Sequence, residues 1–264
     1  MLLTPLYPGG KLKALTFSYD DGRRADERLV GIFNRWNLKA TFNLCSGATI
    51  AENKIHKDEF DRVYSGHEIA SHSVRHPFLE RVPRSCALNQ LVEDRRELER
   101  ITNKIINGFA LPYGTWSPDV LETLRSVGYL YSRTCCSTKT FTIPADFLEW
   151  HPTCHHRDIP EIGPMFKTCR YPLALCYIWG HSWEFDKYNN WDLIENFCED
   201  ISREENIWFA TNGEIVRYLL AWKQIETSIN SEIIYNPTAI SLWVQLESGE
   251  IIELKSGETK KITP

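Results

Sequence analysis

A chain of 264 residues, 42% hydrophobic and 25% charged, is long enough for one large α/β barrel with a small appendage and too apolar to be disordered. Its formal net charge of -5 comes with no basic stripe, only pairs such as Arg23-Arg24 and Lys260-Lys261, so the expectation is no nucleic-acid partner. No run is long and apolar enough to span a bilayer, and residues 1–13 lack the charged n-region and long h-region of a secretory leader, so no membrane partner is expected and the protein is either cytoplasmic, the reading taken, or one whose leader has been removed.

Strand-like and helix-like segments alternate from the start. Residues 12–17 are an apolar strand-forming run that stops at Asp20-Asp21-Gly22, and residues 26–36 place Leu29, Ile32, Phe33 and Trp36 at helical spacing. Residues 40–44 read as a second strand and 68–70, after a Ser65-Gly66 turn, as a third. Residues 85–104 predict a long helix with Leu88, Leu91, Leu98, Ile101 and Ile105 on one side and the charge run from Glu93 to Glu97 as its solvated face. A strand over 109–111 ends at Pro112. Ser117 and Pro118 then suit the N-cap and first position of another helix. Residues 173–179 form a strand that stops at Gly180-His181, 191–202 a helix and 207–210 the last barrel strand. Thr211 and Glu214 make a capping box for a helix through Trp222.

This alternation with short connections implies a parallel sheet. About seven strands suit a distorted (β/α) barrel better than an open doubly wound sheet, for which the G-x-G-x-x-G fingerprint is also missing. Past residue 225 the pattern changes to short strands over 239–246, 250–254 and 259–262, separated by Ser248-Gly249 and Ser256-Gly257. The expected division is a barrel over 1–225 and a small antiparallel β meander over 226–264 packed on it. The eight cysteines contain no C-x-x-C pair and read as reduced, mostly buried thiols.

Three polar groups sit at predicted strand ends, where parallel α/β barrels build their sites. In Ser18-Tyr19-Asp20-Asp21-Gly22, two adjacent carboxylates repel unless a cation, an arginine or solvation offsets them; an exposed acidic turn is the plain alternative. In His72-Ser73-Val74-Arg75-His76-Pro77, imidazoles at i and i+4 can lie on one face of a helical turn and share a metal, or be unrelated surface histidines; Pro77 should end the turn. His181, after Ile178-Trp179-Gly180, is a functional or a structural histidine. Taken together, one carboxylate and two imidazoles make a three-ligand metal site with open positions, and the remaining carboxylate and histidine supply a base and an acid.

The ordered set Thr16-Phe17-Ser18-Tyr19-Asp20-Asp21-Gly22, His72-Ser73-x-x-His76-Pro77, Pro112-Tyr113-Gly114 and Ile178-x-x-His181 resembles the polysaccharide deacetylases of carbohydrate esterase family four, over roughly residues 10–223. The resemblance implies a distorted (β/α) barrel and a metal-dependent hydrolase removing N- or O-acetyl groups from an acetylated sugar or oligosaccharide. It implies Asp21, His72 and His76 as ligands of a divalent metal, zinc first, with cobalt or nickel as alternatives. Asp20 would be the general base, His181 the general acid, and the backbone N–H of Tyr113 part of an oxyanion hole.

The sequence departs from the family pattern in three places. Ala110 stands where the family carries an arginine that pairs with the catalytic aspartate, which leaves Arg23 or Arg75 as substitutes, or no partner at all. Glu149-Trp150 is the nearest match to the Asp-Trp that partners the acid histidine. The segment His151-Pro152-Thr153-Cys154-His155-His156 is extra; it lines the pocket, with His155 touching substrate, or is a structural turn. Trp116, Trp179 and Trp183 lie near the motif loops, and Trp183 is the ring taken as substrate-binding. Two other readings stay open: a hydrolase of a small amide or cyclic ureide, and a non-catalytic sugar-binding protein.

Overall fold

The computed structural model describes residues 3–48 and 53–262. In chain order the strands are β1 (Thr4–Leu6), β2 (Lys13–Asp20), β3 (Ala40–Leu44), β4 (Glu68–Ser71), β5 (Gly108–Ala110), β6 (Tyr131–Arg133), β7 (Cys154–His155), β8 (Ala174–Gly180), β9 (Ile207–Phe209), β10 (Glu226–Thr227), β11 (Ile233–Tyr235), β12 (Leu242–Gln245), β13 (Ile251–Leu254) and β14 (Thr259–Lys261). The helices are α1 (Asp26–Arg35), α2 (Phe60–Val63), α3 (Arg84–Thr102), α4 (Pro118–Val127), α5 (Ile159–Thr168), α6 (Trp183–Tyr188), α7 (Trp191–Ile201) and α8 (Asn212–Trp222).

Strand β2 is buried at all eight positions, and its two faces have different chemistry. Leu15, Phe17 and Tyr19 pack outward with Leu29, Phe33, Ile194 and Phe197 of the surrounding helices. The period of two turns Ala14, Thr16, Ser18 and Asp20 the other way, into the barrel. That interior is polar: Thr16 donates to Asn212 Oδ1 at 2.8 Å, Asn212 Nδ2 to the Tyr177 hydroxyl at 2.7 Å, and Asn43 Nδ2 to Ser18 Oγ at 2.8 Å.

Seven parallel strands run in the order β6-β5-β4-β3-β2-β8-β7, and β9 adds to the first residues of β2. The sheet curls back on itself. Trp150, just before β7, bridges Arg133 in β6, with Trp150 N–H donating to Ser132 O and Thr134 N–H to Trp150 O, both at 3.0 Å. The barrel and its appended antiparallel strands follow the expected architecture. Strands β6 and β7, of three and two residues, are too short to leave a period in the sequence. Leu173 takes a φ of 55°, so β8 starts one residue later than expected and carries Gly180 as its last residue.

Helix α3 differs from expectation in which face it buries. Its inward positions are Ala87, Leu91, Asp94, Leu98 and Thr102, whereas Leu88 is 41% and Ile105 73% exposed. Asp94, read as part of a solvated charge run, is fully buried.

After residue 225 the short strands form two three-stranded antiparallel sheets, β1-β12-β13 and β10-β11-β14, sharing a core of Ile234, Val244, Leu254 and Ile262. The first sheet takes its edge from the N-terminal segment. Among the described residues no helix is long and apolar enough to cross a membrane, and all eight cysteines are unpaired thiols, with Cys45, Cys154, Cys176 and Cys198 buried.

Candidate active site

The C-terminal ends of β2 and β4 bring the first two motifs together. Asp21 follows β2 in a left-handed conformation, φ 81°, and donates its N–H to Asn43 O at 3.1 Å. His72 follows β4. Its Nδ1–H donates to Ala110 O at 2.8 Å, which fixes the tautomer and leaves the Nε2 lone pair free. Burial pushes the imidazole down to about 4, so it is neutral at ordinary pH. His76 reaches the same place through a loop, not the expected helical turn: Ser73 and His76 both take positive φ, 65° and 55°, and Pro77 disfavours the α conformation at His76. The His72 and His76 rings lie 4.6 Å apart, and Asp21, His72 and His76 offer ligand atoms all within 4.8 Å of one another. One carboxylate and two neutral imidazoles at that spacing fit a divalent cation. Asp21 also has Lys54 Nζ 3.7 Å from Oδ1; burial would raise its carboxyl, but that ammonium keeps it below the usual range.

Asp94 holds this corner in shape. Its carboxylate accepts N–H groups from Ser46 at 2.7 Å and His72 at 3.2 Å, and the Ser71 hydroxyl, so it ties the ends of β3 and β4 to α3.

Asp20 differs from its neighbour in every contact. Oδ1 accepts Asn43 Nδ2 at 2.8 Å, and Oδ2 accepts Arg133 Nη2 at 2.6 Å. Burial alone would raise this carboxyl; the Arg133 guanidinium outweighs it and holds the group at about 2. The partner expected at Arg23 or Arg75 is therefore Arg133, supplied by β6 and fully buried. Arg23 comes no nearer than 3.9 Å to Asp21, and the Arg75 backbone N–H instead engages Gln90 of α3. The Arg133 guanidinium lies 4.7 Å from the centre of the Trp179 ring, and its Nε and Nη1 have no hydrogen-bond partner among the described residues.

His181 faces Asp20, with Nε2 4.0 Å from Oδ2. Its other nitrogen, Nδ1, points to Glu184 Oε2 at 3.7 Å, and the His181 N–H donates to the same oxygen at 3.4 Å. Burial would lower this imidazole; the Glu184 carboxylate reverses that and the net shift is upward. Glu149-Trp150 does not fill this role. Glu149 sits 3.5 Å from His151, and Trp150 packs in the barrel interior against Tyr131 and Tyr177. Glu184 was legible as an acid three residues after His181, but the family pattern directs attention elsewhere.

The extra segment supports Glu184 from below. His155 Nε2 lies 2.9 Å and His156 Nε2 3.3 Å from Glu184 Oε2. His155 Nδ1 accepts the Arg157 N–H at 3.3 Å, so the proton is on Nε2 and His155 donates to Glu184. That tautomer makes the trio a hydrogen-bonded cluster rather than a ligand set, though its atoms are close enough to share a cation. His156 stacks on Phe185 at 4.2 Å, and a Cβ on Gly180 would meet it at 2.1 Å, so Gly180 is required for this packing. His155, expected to touch substrate, is buried and makes its side-chain contact to Glu184.

Tyr113 lies in a 3-10 turn, Pro112–Gly114, with φ 58°; its half-exposed ring stacks on Phe78 at 3.7 Å and meets His76 at 4.5 Å. Trp183 lies 5.4 Å from His181, whereas Trp116 packs on His151. Asp26, at the start of α1, accepts hydroxyls from Tyr64 at 2.8 Å and from Ser182, so the residue after His181 is anchored; burial pushes this carboxyl up to about 7.

The sequence profile described as polysaccharide deacetylase matches residues 8–132, a stretch that holds Asp20, Asp21, His72, His76 and Tyr113. That stretch, just under half of the chain, is similar to the polysaccharide deacetylases. His181, Glu184 and Arg133 lie beyond the matched stretch. The fold of the chain is shared with solved structures of low identity. A Mycobacterium smegmatis protein assigned as a polysaccharide deacetylase is 16% identical, with a TM-score of 0.62 over 83% of this chain and 94% of that one. The carbohydrate esterase domain of a multidomain xylanase from the hindgut metagenome of Trinervitermes trinervoides is 16% identical, with a TM-score of 0.56 over 80% and 92%. A Bacillus anthracis pseudoenzyme of carbohydrate esterase family four is 17% identical, with a TM-score of 0.50 over 80% and 66%. No protein of curated function matches this chain.

Proposed function

We propose that this chain is a polysaccharide deacetylase, a divalent-metal-dependent hydrolase that removes acetyl groups from an acetylated sugar or oligosaccharide. The observation that carries the reading is the convergence of Asp21, His72 and His76 beside a second carboxylate, Asp20, that is separately clamped by Arg133 and Asn43. A pseudoenzyme shares the fold, so the residues and not the barrel bear the argument.

In this reading Asp21, His72 and His76 hold the ion, zinc first and cobalt or nickel as alternatives. When bound, such an ion lowers the pKa of water toward about 7 and acts as a Lewis acid toward a carbonyl. Asp20, kept ionised by Arg133, takes a proton from the attacking water. The Tyr113 N–H, in its left-handed turn, donates to the developing oxyanion. His181, whose protonated form the Glu184 carboxylate favours, gives its proton to the departing amine or alkoxide. Trp183, beside His181, offers a face to the sugar ring. His155 contributes through Glu184.

The amide or cyclic-ureide reading rested on the missing arginine and on a cytoplasmic location, and Arg133 removes the first of these grounds. Eight unpaired thiols support a reducing, cytoplasmic location. The test is acetate release from N-acetylglucosamine oligomers and acetylated xylan, beside a panel of cyclic amides. Acetate release that a strong chelator abolishes and zinc or cobalt restores is expected; full activity in metal-free protein contradicts the proposal.

A further inference from the structure

A cavity of about 340 Å³ opens beside the site, lined by Arg23, Arg24, Ala25, Asn53, Trp183 and Asp186. It shares two walls with the residues already described. Arg23 Nε lies 3.9 Å from Asp21 Oδ2, and the Trp183 ring lies 5.4 Å from His181. A molecule seated on the acid and the metal ligands therefore extends into this space.

The two arginines are in different states. Arg24 is paired with both carboxylate oxygens of Glu59, at 2.9 and 2.6 Å, so its charge is compensated. Arg23 has no such partner. Its nearest carboxylate is Asp21, 3.9 Å away, and its Nε is buried with no hydrogen-bond partner among the described residues. Once Asp21 ligates a cation, Arg23 loses even that counter-charge. Its main chain is held in place by an antiparallel bridge to Lys54. Across the cavity, Trp183 Nε1 is likewise buried and unpartnered, and Lys187 Nζ lies 5.6 Å from the same ring. The acid on this wall, Asp186, already accepts Trp191 Nε1 at 2.8 Å. The Arg23 side chain and the Trp183 ring therefore line one cavity, and each carries a buried N–H with no acceptor among the described residues, which costs stability unless a ligand or a small shift supplies one.

We propose that this cavity is a subsite for an anionic substituent, a carboxylate or a phosphate, on the acetylated sugar. The substituent accepts from the Arg23 guanidinium, whose planar fork suits a group with two oxygens, while the sugar packs beside the Trp183 ring. The inference rests on the hydrolase reading of the adjacent site and names its substrate class as acidic acetylated sugars rather than neutral ones.

The test compares acetate release from N-acetylglucosamine, N-acetylglucosamine 6-phosphate and an N-acetylated glucosaminuronate by the metal-loaded protein. At low salt the wild type should favour at least one acidic substrate by about tenfold in kcat/KM. The preference should shrink as ionic strength rises, collapse toward parity in R23Q, and survive in part in R23K. Whether the phosphate or the carboxylate gains more identifies the source of the anion. Equal rates on neutral and acidic substrates, or an R23Q variant that loses both alike, overturns the subsite and leaves the hydrolase reading intact. No acetate from any substrate overturns the hydrolase reading instead. Calorimetric titration of N-acetylglucosamine 6-phosphate into wild type and R23Q then decides the subsite: weaker binding to R23Q supports it and equal binding refutes it.

Discussion

Asp20 and Asp21 are adjacent in sequence yet sit in opposite electrostatic environments. Asp20 is the last inward residue of β2 and is clamped by Asn43 and the buried Arg133; Asp21 is in the turn beyond, beside two histidines and Lys54. The pair thus avoids the repulsion that two free carboxylates would suffer, because each has its own partner. Arg133 is what allows Asp20 to stay charged while buried. In R133Q, only Asn43 and the neighbouring imidazoles still oppose burial, so the Asp20 carboxyl rises from about 2 and the acid limb of the kcat profile moves to higher pH. Turnover should fall roughly 10²-fold, with metal content unchanged. A pH profile superimposable on wild type would show that Arg133 does not set this ionisation. The five residues of the motifs were legible because each motif is local. Arg133 was not: it lies 113 residues from Asp20 in a three-residue strand, and Ala110 announces only that the usual partner is missing. Asp94 was hidden for a related reason, since it sits among exposed charges of α3 and only the packing shows that it turns inward.

At the scale of elements, short loops make the site and buried polar joints hold the elements that carry them. His67 is one such joint. Its Nδ1 accepts the Ala40 N–H of β3 at 3.2 Å, and its Nε2–H donates to Asn34 Oδ1 of α1 at 3.1 Å. Burial pushes this imidazole from 6.5 down to about 4. The unfolded chain therefore takes up a proton below pH 6.5 that the folded chain refuses. The contribution is complete above pH 6.5 and is lost as pH falls toward 4, for a total of about 3 kcal/mol. Chemical denaturation of wild type and H67Q across that range should show a shallower loss in H67Q; identical slopes would remove His67 from the account. The strand and helix alternation that defines the barrel was readable from periodicity. The turn carrying His76 was not, because two left-handed residues leave no hydrophobic period to read.

For the whole molecule, the N-terminal strand is the link. β1 pairs with β12, so the first described residues and the last sheets fold against one another. Tyr218 of α8 fastens that joint: its hydroxyl donates to Leu6 O at 2.6 Å and accepts the Trp243 N–H at 3.1 Å. Y218F leaves both main-chain groups without that partner and should cost about 2 kcal/mol. Calorimetry should show one cooperative transition shifted down by several degrees; an unshifted transition would mean that the joint carries no stability. The central claim spans all three scales, since the fold must deliver one carboxylate to a metal and its neighbour to catalysis. The most direct measurement is zinc content together with acetate release in D20N and D21N, measured side by side after saturation and desalting. The account predicts that D20N keeps about one zinc per chain and loses turnover by 10²-fold or more, while D21N loses both. A D20N protein that loses its zinc, or a D21N protein that keeps it, would contradict the assignment.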